Sequence, residues 1–207
     1  VNTGRYLLIG TRNEGKLKEL QQLLVDLPLN LEGLSALPDI VEVPETGETF
    51  IENAALKATG YAKQTGLLTL ADDSGLEVDA LGGAPGVLSA RYGGEGASDA
   101  DRTAKLLSAL SIIPGSERTA RFVSTTAIAD SDGQILNISV GTCDGHIALA
   151  PRGSRGFGYD PVFVPKGYDQ TFAEIEPVVK NQISHRARAL LSAREFLRTL
   201  TIPSSGR

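Results

Sequence analysis

Five short stretches of this chain gather residues whose types and spacing could do chemistry. TRNEGK, Thr11 to Lys16, follows the apolar run YLLIG and precedes Leu17, Leu20 and Leu24 at helical spacing. A loop that enters a helix offers free backbone N–H groups and the positive end of the helix dipole, and with Lys16 these could converge on phosphate oxygens. The glycine spacing of a P-loop is absent. The competing reading is an ordinary helix capped by Asn13 whose lysine faces solvent. ADDSG puts Asp72 and Asp73 after the apolar run LLTL. On an extended backbone they point to opposite faces, so one would lead into a site and the other would support it. With a second carboxylate such as Glu45 of PETGETF, the inward one could hold a hard divalent cation, which prefers oxygen ligands. Solvent-facing aspartates in a capping turn are the alternative.

Lys57 lies four residues after Asn53, so the two share a helix face, and Lys57 could balance polyphosphate charge alongside Lys16. GFGYD presents Phe157, Gly158, Tyr159 and Asp160 in a glycine-flanked turn, an aromatic face beside polar groups that would suit a purine. Aromatic residues entering a strand are also ordinary core residues. In SHRARAL, His185 and Arg186 fall in the first turn of a helix, where the dipole disfavours cations, so both call for a partner. With two histidines and one cysteine, a zinc cluster is not expected.

These side chains need elements to carry them. The pattern predicts a strand over Tyr6 to Gly10 and a helix starting after Asn13. Thr49 and Glu52 have capping-box spacing, with a helix from about Phe50 to Gln64 and a small-residue stripe of Ala55, Ala58 and Ala62. A strand over Leu67 to Ala71 is expected to deliver the two aspartates at its end and to turn at Gly75. The glycine-rich run GGAPGVLSARYGGEG is read as a flexible flap. Ser98 and Asp101 open a further helix ending near Leu110. Arg118 to Ala129 and Gln134 to Val140 read as an antiparallel hairpin around DSDG, which makes the sheet mixed. A separate strand is expected over His146 to Leu149, then a last helix capped by Ser184.

The chain has 207 residues and a formal net charge of -5, enough for one substantial core and without a global field to attract nucleic acid or anionic lipid. One cysteine excludes an internal disulfide, and no apolar run is long enough to cross a bilayer, so the cytoplasm is the expected compartment.

In order, TRNEGK, PETGETFIENAALKA, ADDSGLEVDALGGAPGVLSARYGG, GFGYDPVF and SHRARAL resemble the Ham1/RdgB family of inosine triphosphate pyrophosphatases, from about Leu7 to Leu191. The resemblance implies an elongated, two-lobed α/β fold. A mixed central β-sheet is flanked by helices, with the active-site cleft between the lobes. It implies a single domain over residues 1–200 and a homodimer, while the tail 201–207, TIPSSGR, has little to pack with and is expected to fray. The implied reaction is magnesium-dependent hydrolysis of dITP, ITP and XTP to the nucleoside monophosphate and pyrophosphate, which keeps these purines out of DNA and RNA.

By motif, Thr11, Arg12, Asn13, Glu14, Gly15 and Lys16 would line the triphosphate site. Glu45 and Asp73 would serve Mg2+, with Asp73 also the general base and Lys57 the second essential lysine. Ser74 would touch substrate. Phe157, Gly158, Tyr159 and Asp160 would bracket the nucleotide, while Lys180, His185 and Arg186 would read or close over the base. The competing functions are a Maf-type pyrophosphatase of pyrimidine or methylated nucleotides and a regulatory module that senses triphosphates without cleaving them.

Overall fold

The computed structural model describes residues 5–201. It contains a six-stranded mixed sheet of order β2-β1-β3-β4-β5-β6. The strands are β1 (Arg5–Ile9), β2 (Leu29–Gly33), β3 (Thr69–Val78), β4 (Thr119–Ala129), β5 (Ile135–Ile147) and β6 (Phe163–Pro165). β1 pairs in parallel with both β2 and β3, and β6 runs antiparallel to β5. Five α-helices accompany them: α1 (Glu14–Leu24), α2 (Phe50–Thr65), α3 (Asp99–Ala109), α4 (Pro177–Ile183) and α5 (His185–Thr201). Among the described residues no helix is long and apolar enough to cross a membrane.

The chain divides into two compact units. The first takes the described residues up to Asp73, then Thr125–Val140 and the chain from Arg186 on; the second takes Ser74–Ser124 and Gly141–His185. In the first unit Leu7, Ile9 and Leu70 of β1 and β3 pack with Leu20 and Leu24 of α1 and Leu190, Ala193 and Leu197 of α5. A second layer there is made only of alanines: Ala54, Ala58 and Ala62 of α2 against Ala71, Ala127 and Ala129. Methyl-sized side chains let α2 lie close to the sheet, which brings the base of Lys57 near β3. The second unit has an aromatic core in which Phe122, Phe163 and Phe172 pack with Leu76, Val78 and Leu106.

Capping sets the helix starts as expected from the sequence. Asn13 accepts a hydrogen bond from the Lys16 amide at 2.9 Å, and Thr49–Glu52 and Ser98–Asp101 form reciprocal capping boxes. α2 ends at Gly66, whose φ of +67° is the left-handed geometry that a glycine tolerates best.

Several expectations are corrected. β3 does not end at Ala71 or turn at Gly75; it runs through ADDSG to Val78, because Leu76 and Val78 resume the inward apolar positions and the carboxylates find cations. The two strands expected over Gln134 to Val140 and His146 to Leu149 are one, β5. Gly145 does not break it: a Cβ there would lie 2.2 Å from the Val164 carbonyl oxygen, so glycine permits the close approach of β6. β2 and α4 were not foreseen. β2 has the sequence LNLEG and is half-buried throughout, so it lacks a clean apolar alternation, and α4 has only 7 residues. Of the tail expected to fray, all but Thr201 lies outside the described residues.

The glycine-rich run after β3 forms two 3-10 turns, Asp79–Leu81 and Gly86–Arg91. Ser89 is buried in it, accepts from the Leu76 amide at 2.9 Å and donates to the Gly86 carbonyl at 2.6 Å.

Candidate active site

Two consecutive carboxylates are buried in the middle of β3: Asp72 is fully buried and Asp73 is 5% exposed. Alternation along the strand puts Asp72 on the side of Leu70, where α1 and α5 pack, and Asp73 on the side of Ala71, where α2 packs. Each side supplies its own cation. Lys16 of α1 lies 3.0 Å from Asp72 Oδ2, and Arg186 of α5 reaches the same oxygen at 3.4 Å while also bonding Glu19. On the other side Lys57 Nζ bridges Asp73 Oδ1 at 3.1 Å and Glu45 Oε1 at 2.5 Å.

Asn53, one helical turn before Lys57, holds the loop that carries Glu45. Its Oδ1 accepts from the Gly47 amide at 2.8 Å and its Nδ2 donates to the Gly47 carbonyl at 3.3 Å. The Asn53 and Lys57 face expected from spacing therefore exists, with one residue shaping the loop and the other binding its carboxylate. Lys16, Lys57 and Arg186 are thus paired with Asp72, Asp73, Glu45 and Glu19.

Burial controls the proton affinities. It holds the Asp73 carboxyl above its usual 3.8, opposed in part by Lys57 and Lys16. For Lys57 burial acts downward, but Asp73 and Glu45 outweigh it, and the ammonium is held above 10.5. Lys16 goes the other way: burial lowers it, Asp72 opposes, and the neighbouring charges of Lys57 and Arg186 lower it further. Arg186, raised by Asp72 and Glu19 against its burial, stays charged.

The oxygens suit a hard divalent cation. Asp73 Oδ2 is buried and has no hydrogen-bond donor, while Lys57 takes Oδ1. Glu45 offers a second carboxylate beside it, 33% exposed. Among the described residues no group of three or more His, Cys, Asp or Glu is gathered for a metal. An ion held by Glu45 and Asp73 would thus complete its shell with water and ligand oxygens, as magnesium commonly does.

The remaining residues of TRNEGK form the entry to α1. Thr11 Oγ1 accepts from the Asn13 amide at 3.2 Å, and Arg12 donates to the Ile40 carbonyl at 2.6 Å. Glu14 is exposed and Gly15 half-buried. Ser74 follows Asp73 on β3 and is also half-buried.

The second unit holds a different group. Lys180 of α4 lies 2.6 Å from Asp160 Oδ2, and its ammonium stands 5.2 Å from the centroid of Phe157 and 5.4 Å from that of Phe172. Asp160 Oδ2 also accepts from the Phe157 amide at 2.9 Å. Phe157 is half-buried, whereas Tyr159 belongs to the core and donates its hydroxyl to the Ser89 carbonyl at 2.9 Å. His185 is buried and its ring stacks on Phe122 at 4.6 Å between centroids. The structure thus keeps Phe157, Gly158, Asp160 and Lys180 together, but Arg186, expected with them, is bound to Asp72 and Glu19 in the first unit. Glu19 was missed by sequence reasoning; its spacing of three from Lys16 on α1 was the available signal.

A model described as the Ham1 family matches residues 7–196. The chain is 49% identical over 196 residues to a protein of Desulforamulus reducens named dITP/XTP pyrophosphatase, covering 95% of this chain and 97% of that one. It is 50% identical over 191 residues to one of the same name from Geobacter sulfurreducens, covering 92% and 96%. Among solved structures, a HAM1 protein from Coxiella burnetii superposes with a TM-score of 0.84 at 43% identity, covering 94% of this chain and 99% of that chain. The Staphylococcus aureus Ham1 protein superposes with a TM-score of 0.82 at 39% identity, covering 95% and 100%.

The opposed shifts of the two lysines can be read directly. In a 13C titration of the lysine Cε signals, Lys16 should release its proton below the ordinary 10.5 and Lys57 above it. Between the lowered value of Lys16 and 10.5 the unfolded chain binds the extra proton, so this group's contribution to stability rises with pH in that window. Asp72→Asn removes the main upward influence on Lys16 and should lower it further. Two lysines titrating together at the ordinary value would contradict this picture of the site.

Proposed function

The chain belongs to the Ham1 family, and from that membership together with the charged wall of its first unit we propose that it hydrolyses non-canonical purine nucleoside triphosphates. The substrates are dITP, ITP and XTP, and the products the nucleoside monophosphate and pyrophosphate. The observation that carries the reading is Asp73, buried and held at one oxygen by Lys57, with the other oxygen lacking a donor.

Magnesium is the cofactor in this proposal, held by Glu45 and Asp73. When bound, it would neutralise phosphate oxygens and lower the pKa of a coordinated water. The protein's own residues do the rest. Lys16 and the amides of Arg12, Glu14 and Gly15 would take phosphate oxygens, Thr11 and Asn13 shaping that loop, and Lys57 would offset charge developing at the reacting phosphate. Water attacks the α-phosphorus in line, the bond from that phosphorus to the bridging oxygen breaks, and pyrophosphate leaves. Asp73 accepts the water's proton. An aspartate is ordinarily a weak base, so the metal's lowering of the water's pKa is the larger contribution in this proposal. Ser74, next on β3, would meet the substrate beside it.

The group of the second unit is proposed to meet the base. Phe157 supplies a face for stacking, and Lys180, fixed by Asp160, would donate to a carbonyl edge. Gly158 and Tyr159 shape the turn, and His185, stacked on Phe122, would help to close over the base. Inosine and xanthine present a carbonyl at position 6 where adenine has an amino group. Donors aimed there would be left unmatched by adenine, at a cost of about 1 to 3 kcal/mol for each buried one. Arg186 supports the phosphate wall through Asp72 in this reading.

We further propose that the protein works as a homodimer in the cytoplasm. Leu136, Ile138 and Val140, alternate residues of β5, are 39%, 41% and 50% exposed, an apolar row of the sort that a second copy would cover. A monomer mass by sedimentation at micromolar concentration would end the dimer proposal.

The deciding assay gives the protein inosine, xanthosine, guanosine, adenosine and thymidine triphosphates with magnesium and separates pyrophosphate from phosphate. Pyrophosphate should appear with inosine and xanthosine substrates and be lost when the metal is chelated. Asp73→Asn should lower kcat by about a thousandfold while KM moves by less than about threefold. Release of single phosphate, or thymidine triphosphate turned over as fast as inosine triphosphate, would overturn the reading.

A further inference from the structure

We propose that Asp99 is a positioning residue for the GFGYD turn, fixing the backbone that presents the Phe157 ring to the purine; this rests on the base-reading role proposed for Phe157. The Gly158 amide donates to Asp99 Oδ2 at 2.6 Å, from a residue 59 positions away in sequence. The preceding amide, that of Phe157, donates to Asp160 Oδ2 at 2.9 Å. Two successive backbone N–H groups therefore each end on a carboxylate. Gly156 and Gly158 have φ of +76° and +61°, and a Cβ at Gly156 would fall 1.9 Å from Asp160 Oδ2, so the turn is shaped around that carboxylate.

A run of backbone amides in such a turn forms a concavity that attracts anions. Here Asp99 and Asp160 supply the anions from within the protein. With its amides matched, the turn does not compete for the phosphates of an incoming nucleotide, which leaves Phe157 to meet the uncharged base. A hydrogen bond to an ionised carboxylate is also about twice as strong as a neutral one, so it fixes the orientation of the Phe157–Gly158 peptide firmly.

Asp99 has a fixed origin from which to do this. It is the first residue of α3, behind the Ser98–Asp101 capping box. Its other oxygen is paired with Arg102, one turn on, and Arg102 in turn donates to the Ala90 and Ala97 carbonyls, each at 2.9 Å. The next residue of the turn, Tyr159, is tied to Ser89. The neighbouring carbonyls of Ser89 and Ala90 thus connect to the turn by two separate routes, one through Tyr159 and one through Arg102 and Asp99. Tyr159 anchors the turn in the core, while Asp99 sets the peptide directly behind the Phe157 ring. Its removal should weaken substrate binding and leave the chemical step alone.

The test uses the full chain with Asp99→Ala and Asp99→Asn, the latter retaining an oxygen acceptor without the charge. Amide exchange over residues 157–159 is measured together with kcat and KM for inosine triphosphate. The expected result for Asp99→Ala is faster exchange there and a KM raised about tenfold, with kcat within about twofold. Asp99→Asn should recover KM to within about threefold of the parent. Unchanged exchange in Asp99→Ala, or faster exchange with an unchanged KM, would overturn the proposal. In that second case Phe157→Ala separates the causes: a raised KM there means that only the role of Asp99 is lost, whereas an unchanged KM removes the base reading as well.

Discussion

A β-strand can bury two consecutive carboxylates only if each face of the sheet supplies a cation, and most of the first unit follows from that constraint. Successive residues of β3 face opposite ways, so Asp72 and Asp73 cannot share one counter-charge. α1 and α5 bring Lys16 and Arg186 to one side, and α2 brings Lys57 to the other. Removing one partner of such a pair leaves an uncompensated buried charge, at a cost of about 3 to 5 kcal/mol in comparable cases. The alanine layer under α2 and the Asn13 cap put ammonium groups within reach of β3, and the Asn53 clasp on Gly47 holds the loop of the Glu45 carboxylate beside them.

The same constraint makes the two aspartates chemically unequal. Asp72 is held from two directions, by Lys16 and by Arg186, which stays charged, and acts as a fixed charge. Asp73 has one oxygen on Lys57 and one without a donor, in a place that raises its proton affinity. An anion so placed is a good ligand for a hard cation. Local sequence alone cannot assign those roles, since both residues follow the same apolar strand.

Much of the local architecture was legible because local signals carry it. Asn13, Thr49 with Glu52, and Ser98 with Asp101 announce their helices within four residues of sequence. The shared face of Asn53 and Lys57 follows from helical spacing. What stayed hidden depends on distant parts of the chain. The ion pairs of Arg186 with Glu19 and Asp72 span 167 and 114 residues. The hydrogen bond from the Tyr159 hydroxyl to the Ser89 carbonyl spans 70 residues. β3 seemed to stop at its aspartates because charge inside a strand is costly unless paired, and the pairing was invisible. The assignment of Glu45 and Asp73 to one metal came from the family resemblance; spacing had only allowed it.

The central claim is that Lys57 occupies one oxygen of Asp73 and leaves the other for a divalent cation. Calorimetric titration of magnesium into the protein saturated with a non-hydrolysable inosine triphosphate analogue tests it most directly. The account predicts that Asp73→Asn weakens magnesium binding by about tenfold or more, about 1.4 kcal/mol, while analogue affinity without metal stays near that of the parent. Magnesium affinity equal in the two proteins would contradict it.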